Sequence, residues 1–215
     1  MKKQNTYDLQ TAKFIATVCQ NVPELSGDVM QGWIENPKSL KKFLKGLCPP
    51  ETTPTFPTWK TIALGIHKSA DEYRKALKVN GFKIGDWAND ILGKPAFTAS
   101  DTETEIELVK MTVAELGFKE GTTRKDVYER AIELGLKLCP NEVGPALRLQ
   151  YTDQPMGEWL LIAMDSITDS NGNLDVFHTE RNSDGLGLYG SIGYYDYRWG
   201  ADSQWVFSRG NPACR

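Results

Sequence analysis

Apolar residues recur every three to four positions over the first 47 residues. Past residue 148 they alternate, or run in short blocks between turn signals. In YDLQTAKFIATVCQ, Leu9, Phe14, Ile15 and Val18 fall near one helix face. After Ser26, which is placed to cap, Val29, Met30, Trp33 and Ile34 repeat the helical spacing. Pro37 suits the first turn of another helix. There Leu40, Phe43, Leu44 and Leu47 turn inward, and Lys38, Lys41, Lys42 and Lys45 form a solvated outer face.

The stretch CPPETTPTFPTW holds Pro49, Pro50, Pro54 and Pro57, so it forms neither a helix nor a central strand. It marks a boundary after the helical segment. Beyond it the short apolar run TIALGI reads as a strand. SADE follows as a capping box, with Ser69 as cap and Glu72 three residues on. A helix ADEYRKALKV stops at Asn80-Gly81, and FKIGDWANDIL reads as a second helix ending before Pro95. ETEIELVKMT reads as a strand from about Glu105.

The same grammar then recurs. TVAELGF reads as a strand, TRKDVYERAIEL as a helix capped by Thr122 or Thr123, Gly135 as its stop, and LKLCPNEVGPAL as a second short helical segment. The matched positions are Thr61/Thr112, Gly65/Gly117, Gly81/Gly135, Phe82/Leu136, Lys83/Lys137 and Ile84/Leu138. A strand-helix-helix duplication is the expectation.

From Arg148 the blocks LRLQYT, EWLLIAMD, LDVFHTER, LGLYGSI and QWVFSR read as strands. They are separated by turns that include Asn171-Gly172 and Asp184-Gly185. The fold class is α+β: an N-terminal helical segment (1–47), a proline-rich link (48–58), a mixed α/β middle (59–150) and a C-terminal antiparallel meander (151–210) packed on that middle. GNPACR reads as a frayed tail.

The chain has 215 residues, 40% of them hydrophobic, which is enough apolar material for one substantial core or two small ones. The net charge of −3 is unevenly spread. Between Lys38 and Lys94 eleven bases oppose five acids, for +6; from Tyr151 onward four arginines oppose nine acids, for −5. No apolar run reaches signal-peptide or membrane-span length. Cys19, Cys48, Cys139 and Cys214 have no CxxC spacing. Two disulfides are allowed arithmetically, but reduced thiols in a cytoplasm are the simplest reading.

Candidate chemistry is sparse. Asp169, Asn171, Asn173, Asp175 and Glu180 mimic calcium-loop positions, but Leu174 stands where the loop needs glycine, so a hairpin turn is expected. His178 and Glu180 project from one face of a strand and could serve a hydrolase or nuclease as acid and base. Cys139 stands at a helix start but reads as a structural thiol. The helix pairs at 72–92 and 124–151 suggest helix-turn-helix units. Asp86, Asp90 and Glu142 in the second helices would repel phosphates. No cofactor and no metal site is expected.

The loop GYYDYRWGADS is long for a hairpin and rich in rings. The favoured reading is a non-catalytic intracellular binding protein. Tyr194, Tyr195, Tyr197 and Trp199 would be anchors and Asp196 and Arg198 orienting charges, for a protein or small-molecule partner. The second reading is nucleic-acid binding through the basic segment 38–94, and the third an enzyme using His178 and Glu180.

The blocks SGDVMQGWIENPKSL, WKTIALG, IGDWANDILGKPAFT, LCPNEVGPALRLQY and DQPMGEWLLIAMDSITDSNG together resemble a group of bacterial hypothetical proteins with no assigned activity. The likeness runs from about Ser26 to Phe207. It implies a bacterial, stand-alone protein and transfers no fold, ligand or catalytic residue. The loop GSIGYYDYRWGADS is the part it covers least.

Overall fold

Ser26 accepts a 3.4 Å hydrogen bond from the Val29 N–H and so opens helix α1, Gly27–Glu35. Gln31 and Glu35 pair one turn apart along it. The computed structural model describes residues 26–38 and 56–209 and the helical positions 13, 16 and 20. The chain divides after Thr52 into two units. The expectations for 39–55, for Cys19, Cys48 and Cys214, and for the tail from 210 lie outside the described residues.

The second unit begins with strand β1, Lys60–Leu64. Ser69 then caps helix α2, Ala70–Val79, by accepting from the Glu72 N–H at 3.2 Å. The Glu72 carboxylate returns to the Lys68 N–H at 2.8 Å, one residue earlier than an ideal capping box. Gly81 stops the helix in the left-handed region, at φ +74°.

FKIGDWANDIL is not one helix. Lys83–Ile84 form strand β2, and α3 spans Asp86–Leu92. The Gly85 N–H donates to Leu188 O, so this backbone is claimed by a neighbouring strand before the helix can start. Strand β3 spans Thr104–Thr112. TVAELGF is a turn rather than a strand. Glu115 and Thr112 bond each other's N–H groups, and Gly117 closes the turn at φ +106°.

Thr122–Thr123 form the two-residue strand β4, and Thr123 caps α4, Arg124–Glu133. Strand β5 is Leu136–Lys137, after the left-handed Gly135. Helix α5 is Val143–Gln150, so LRLQ, expected to be extended, completes a helix. Val143 to Arg148 are all buried. A helix covered on every side loses the polar face that would have revealed its period. The order helix, glycine, two-residue strand, helix thus occurs twice.

Six strands complete the unit: β6 (Trp159–Ile162), β7 (Ile167–Thr168), β8 (Leu174–Asn182), β9 (Gly185–Ile192), β10 (Arg198–Trp199) and β11 (Gln204–Arg209). A nine-stranded sheet runs β1-β3-β11-β6-β8-β9-β2, with β5 beside β11 and β7 beside β8; β10 pairs with β4 apart from it. The run β6-β8-β9 is antiparallel, as a meander requires. The last strand departs from that pattern. β11 lies parallel to β6 and antiparallel to β3, so one sheet carries both the middle and the C-terminal strands.

Register fixes which side each residue faces. His178 stands opposite Leu161, Leu161 opposite Trp205, and Trp205 opposite Met111, so these share one face. The Tyr128 ring packs edge-on to Trp205 at 5.4 Å, placing α4 on that face. Phe177 points the other way. A Cβ added to Gly144 of α5 would lie 2.7 Å from the Phe177 side chain, so α5 covers the opposite face at close range. The core thus fills both sides of the sheet, with Trp205, Phe177, Phe207 and Leu108 fully buried.

Candidate functional site: a ridge of tyrosines over a buried arginine

The eleven residues between β9 and β11 form an ordered turn whose backbone is held at several points. At its root, the Gly193 N–H donates to Leu174 O at 2.6 Å, and Gly193 O accepts from Arg124 Nη1 at 2.7 Å. The first two N–H groups of α4 lack partners within the helix. The loop supplies them: Arg124 N donates to Tyr197 O and Lys125 N to Tyr195 O, each at 2.9 Å. Arg198 and Trp199 then pair with Thr123 and Thr122. The Tyr194 hydroxyl donates to Asn173 at 3.1 Å.

This scaffold splits the aromatic residues. Trp199, expected among the anchors, is 7% exposed and belongs to the core. Its ring lies 5.6 Å from Trp159 and 5.4 Å from Trp205. Tyr194, Tyr195 and Tyr197 are 39%, 54% and 41% exposed, and Asp196 and Arg198 are exposed beside them. Three rings therefore stand in solvent on a pinned backbone. Arg198 also donates to Gly121 O at 3.2 Å, which ties its side chain to the turn before β4.

Sequence reading missed Arg124. The residue is fully buried, with the Tyr128 and Tyr195 ring centroids 4.4 and 4.8 Å from its guanidinium carbon. Nη2 donates to Met164 O at 2.8 Å, and Nε has no partner. The available signal was spacing: position 124 shares a helical face with the buried Val127, Tyr128 and Ala131.

His178 and Glu180 do share a face, and with Ser191 they form a line. Ser191 Oγ lies 2.7 Å from His178 Nδ1, and Nε2 lies 3.7 Å from Glu180. His178 is packed edge-on to Trp159 and stacked on Tyr189. Burial pulls its pKa down to about 3. A general base near neutral pH works best with a pKa near 7. This neutral imidazole is far weaker, and Ser191 is itself buried, so the geometry favours a packed polar link over an acid–base pair.

The remaining candidates are occupied by structural work. Asp169 accepts from the N–H groups of Asn171 and Asn173 and from the Asn173 amide, closing the hairpin turn. Burial would raise its pKa, but those bonds hold the carboxyl below its ordinary value. Among the described residues no cluster of His, Cys, Asp and Glu side chains is arranged to hold a metal ion. Cys139 is buried with Sγ 3.5 Å from Val206 O, and burial pushes the thiol up, away from reactivity.

The two helix pairs do not present a reading helix. Strand β2 separates α2 from α3, and α5 lies buried against the sheet. In the basic segment Lys68 donates to Gly65 O and Asp101 O, Arg74 pairs with Asp71 and Asn89, and Lys94 with Asp90 and Ser170. These three cations border a cleft of about 450 Å³ floored by Leu92 and Phe97. Comparison of the chain with family models, curated proteins and solved structures finds no match to any of them.

Proposed function

We propose that this is a protein-binding module whose docking face is the ridge formed by Tyr194, Tyr195 and Tyr197. The observation that supports it most is the pairing of exposed rings with a backbone already fixed by hydrogen bonds. A tyrosine offers a large contact area and a polar tip while ordering only two side-chain torsions. Association is penalised by whatever must be ordered on binding, and a loop ordered beforehand avoids most of that penalty. Asp196 and Arg198, exposed between the rings, supply charge for orientation. Trp199 contributes from below, as the buried support of Tyr197, whose ring lies 5.0 Å away.

Selection of peptides from a random displayed library against the full chain tests this. Peptides that bind the native protein should lose at least about tenfold in affinity for the triple variant Tyr194→Ala, Tyr195→Ala, Tyr197→Ala. Thermal melting checks that the variant folds; should it not, Tyr194→Ala alone is measured. Selected peptides indifferent to these changes, or no enrichment at all, overturn the reading.

A further inference from the structure

A buried guanidinium ordinarily has a carboxylate beside it, because an uncompensated charge in the interior is costly. Arg124 has none. Among the described residues no acid forms an ion pair with it, although eight other ion pairs are present. Its hydrogen bonds go to two neutral carbonyls, Gly193 O and Met164 O, and Nε–H goes to nothing. The rings of Tyr128 and Tyr195 stabilise the cation through their faces. Neutral acceptors and ring faces leave the charge itself uncancelled.

That charge sits directly under the ridge. Tyr195 covers Arg124 with one face and is 54% exposed, so a full positive charge lies one ring below the solvent. Two more cations follow at the same place. Lys125 is the next residue, exposed, with a long 3.8 Å contact to Glu129, and Arg198 is exposed on the strand paired with Thr123. Against them stand Asp196, exposed in the loop, and Asp126, which accepts from the Thr122 and Thr123 hydroxyls. The first turn of α4 and the loop on it are therefore net positive, within a C-terminal region that is net −5. A local positive focus on an acidic background selects partners by sign at short range.

We infer that the segment received by the ridge is anionic: a protein segment bearing carboxylates beside an apolar or aromatic contact. Carboxylate oxygens accept from the tyrosine hydroxyls and from Arg198, while the field of Arg124 acts through Tyr195. This rests on the docking reading above. The same peptide selection separates the two. Enriched peptides should be net negative. Their affinity should fall at least about tenfold when Lys125 and Arg198 are both changed to Glu, and should weaken as salt is raised from about 50 to about 500 mM. Arg124→Met removes the buried charge with little change of volume. Its binding loss should match that of the surface reversals; should it not fold, the Lys125→Glu, Arg198→Glu variant carries the test. Tyrosine-dependent peptides that are neutral or basic, or that ignore charge reversal, overturn this inference and leave the docking reading standing. Peptides with no tyrosine dependence remove both.

Discussion

The Tyr73 hydroxyl donates a 2.7 Å hydrogen bond to Glu142 Oε1 in the interior of the second unit. The same oxygen accepts from the Gly65 N–H at 2.7 Å, and Oε2 accepts from the Ser100 N–H at 2.9 Å. One carboxylate thus joins the end of β1, helix α2 and the chain entering β3 to the start of α5. Glu142 is 1% exposed, and its three donors satisfy it.

Glu142→Ala leaves three buried donors without an acceptor and costs on the order of 3–5 kcal/mol; Glu142→Gln keeps the shape and costs about 1–2 kcal/mol. Burial alone would raise this carboxyl, but the bonds from Tyr73, Gly65 and Ser100 outweigh it and hold the pKa below the ordinary value. The stabilisation is complete above the ordinary carboxylate range and is lost as pH falls through the lowered folded value. Calorimetric melting of both variants checks the order; equal melting temperatures for Glu142→Ala and the native chain would sink the assignment.

Asp175 and His178 impose opposite trends with pH. Asp175 is buried with Oδ2 unpartnered. Burial, then Asp169 and Asp90, pushes its pKa up to about 6. The fold prefers its protonated form, so that contribution is full below the ordinary value of 3.8 and is lost as pH rises toward 6. His178 is pulled down to about 3 by burial, so its contribution is full above 6.5 and is lost as pH falls. From about pH 4 to about pH 6 the two partly cancel. In Asp175→Asn the acid loss steepens, and stability near pH 7 rises by on the order of 2 kcal/mol. Urea unfolding across that range reads it directly; a variant profile parallel to the native one would contradict it.

The loop divides energetically where it divides structurally. Trp199→Ala removes a core ring and costs about 3–5 kcal/mol. Tyr194→Ala, at a ring 39% exposed, stays within about 1 kcal/mol. Denaturant midpoints compare them. A Tyr194 cost equal to that of Trp199 would place the ridge in the core and remove it as a docking face.

Local features were legible along the chain because their causes are local. Ser26, Ser69 and Thr123 cap the helices they precede, and Gly81 and Gly135 stop them. Asn171-Gly172 and Asp184-Gly185 turn the hairpins of β7-β8 and β8-β9. Failures came where distant backbone competes. Lys83–Ile84 carries helix-compatible residues, yet pairs with Gly187 and Leu188. LRLQ looks extended because the helix it ends is buried all round.

The candidate site follows the same division. An aromatic loop between two strands is visible in the order of residues alone, since rings, glycines and strand signals are properties of neighbours. Which rings face water is not. Trp199 and Tyr197 are two residues apart, and their fates differ because pairing with Thr122 turns one toward Trp205 and the sheet. Arg124 looks like any helical arginine until residues 69 and 40 positions away supply the carbonyls around it. The sequence by itself determined the turns, the caps, the α+β class and the place of the loop, because each depends on adjacent side chains and backbone. The tertiary structure decided the sheet order, the burial of His178 and Glu142, and the charge beneath the tyrosines. Those depend on which remote groups share a low-dielectric interior, and no local pattern encodes that.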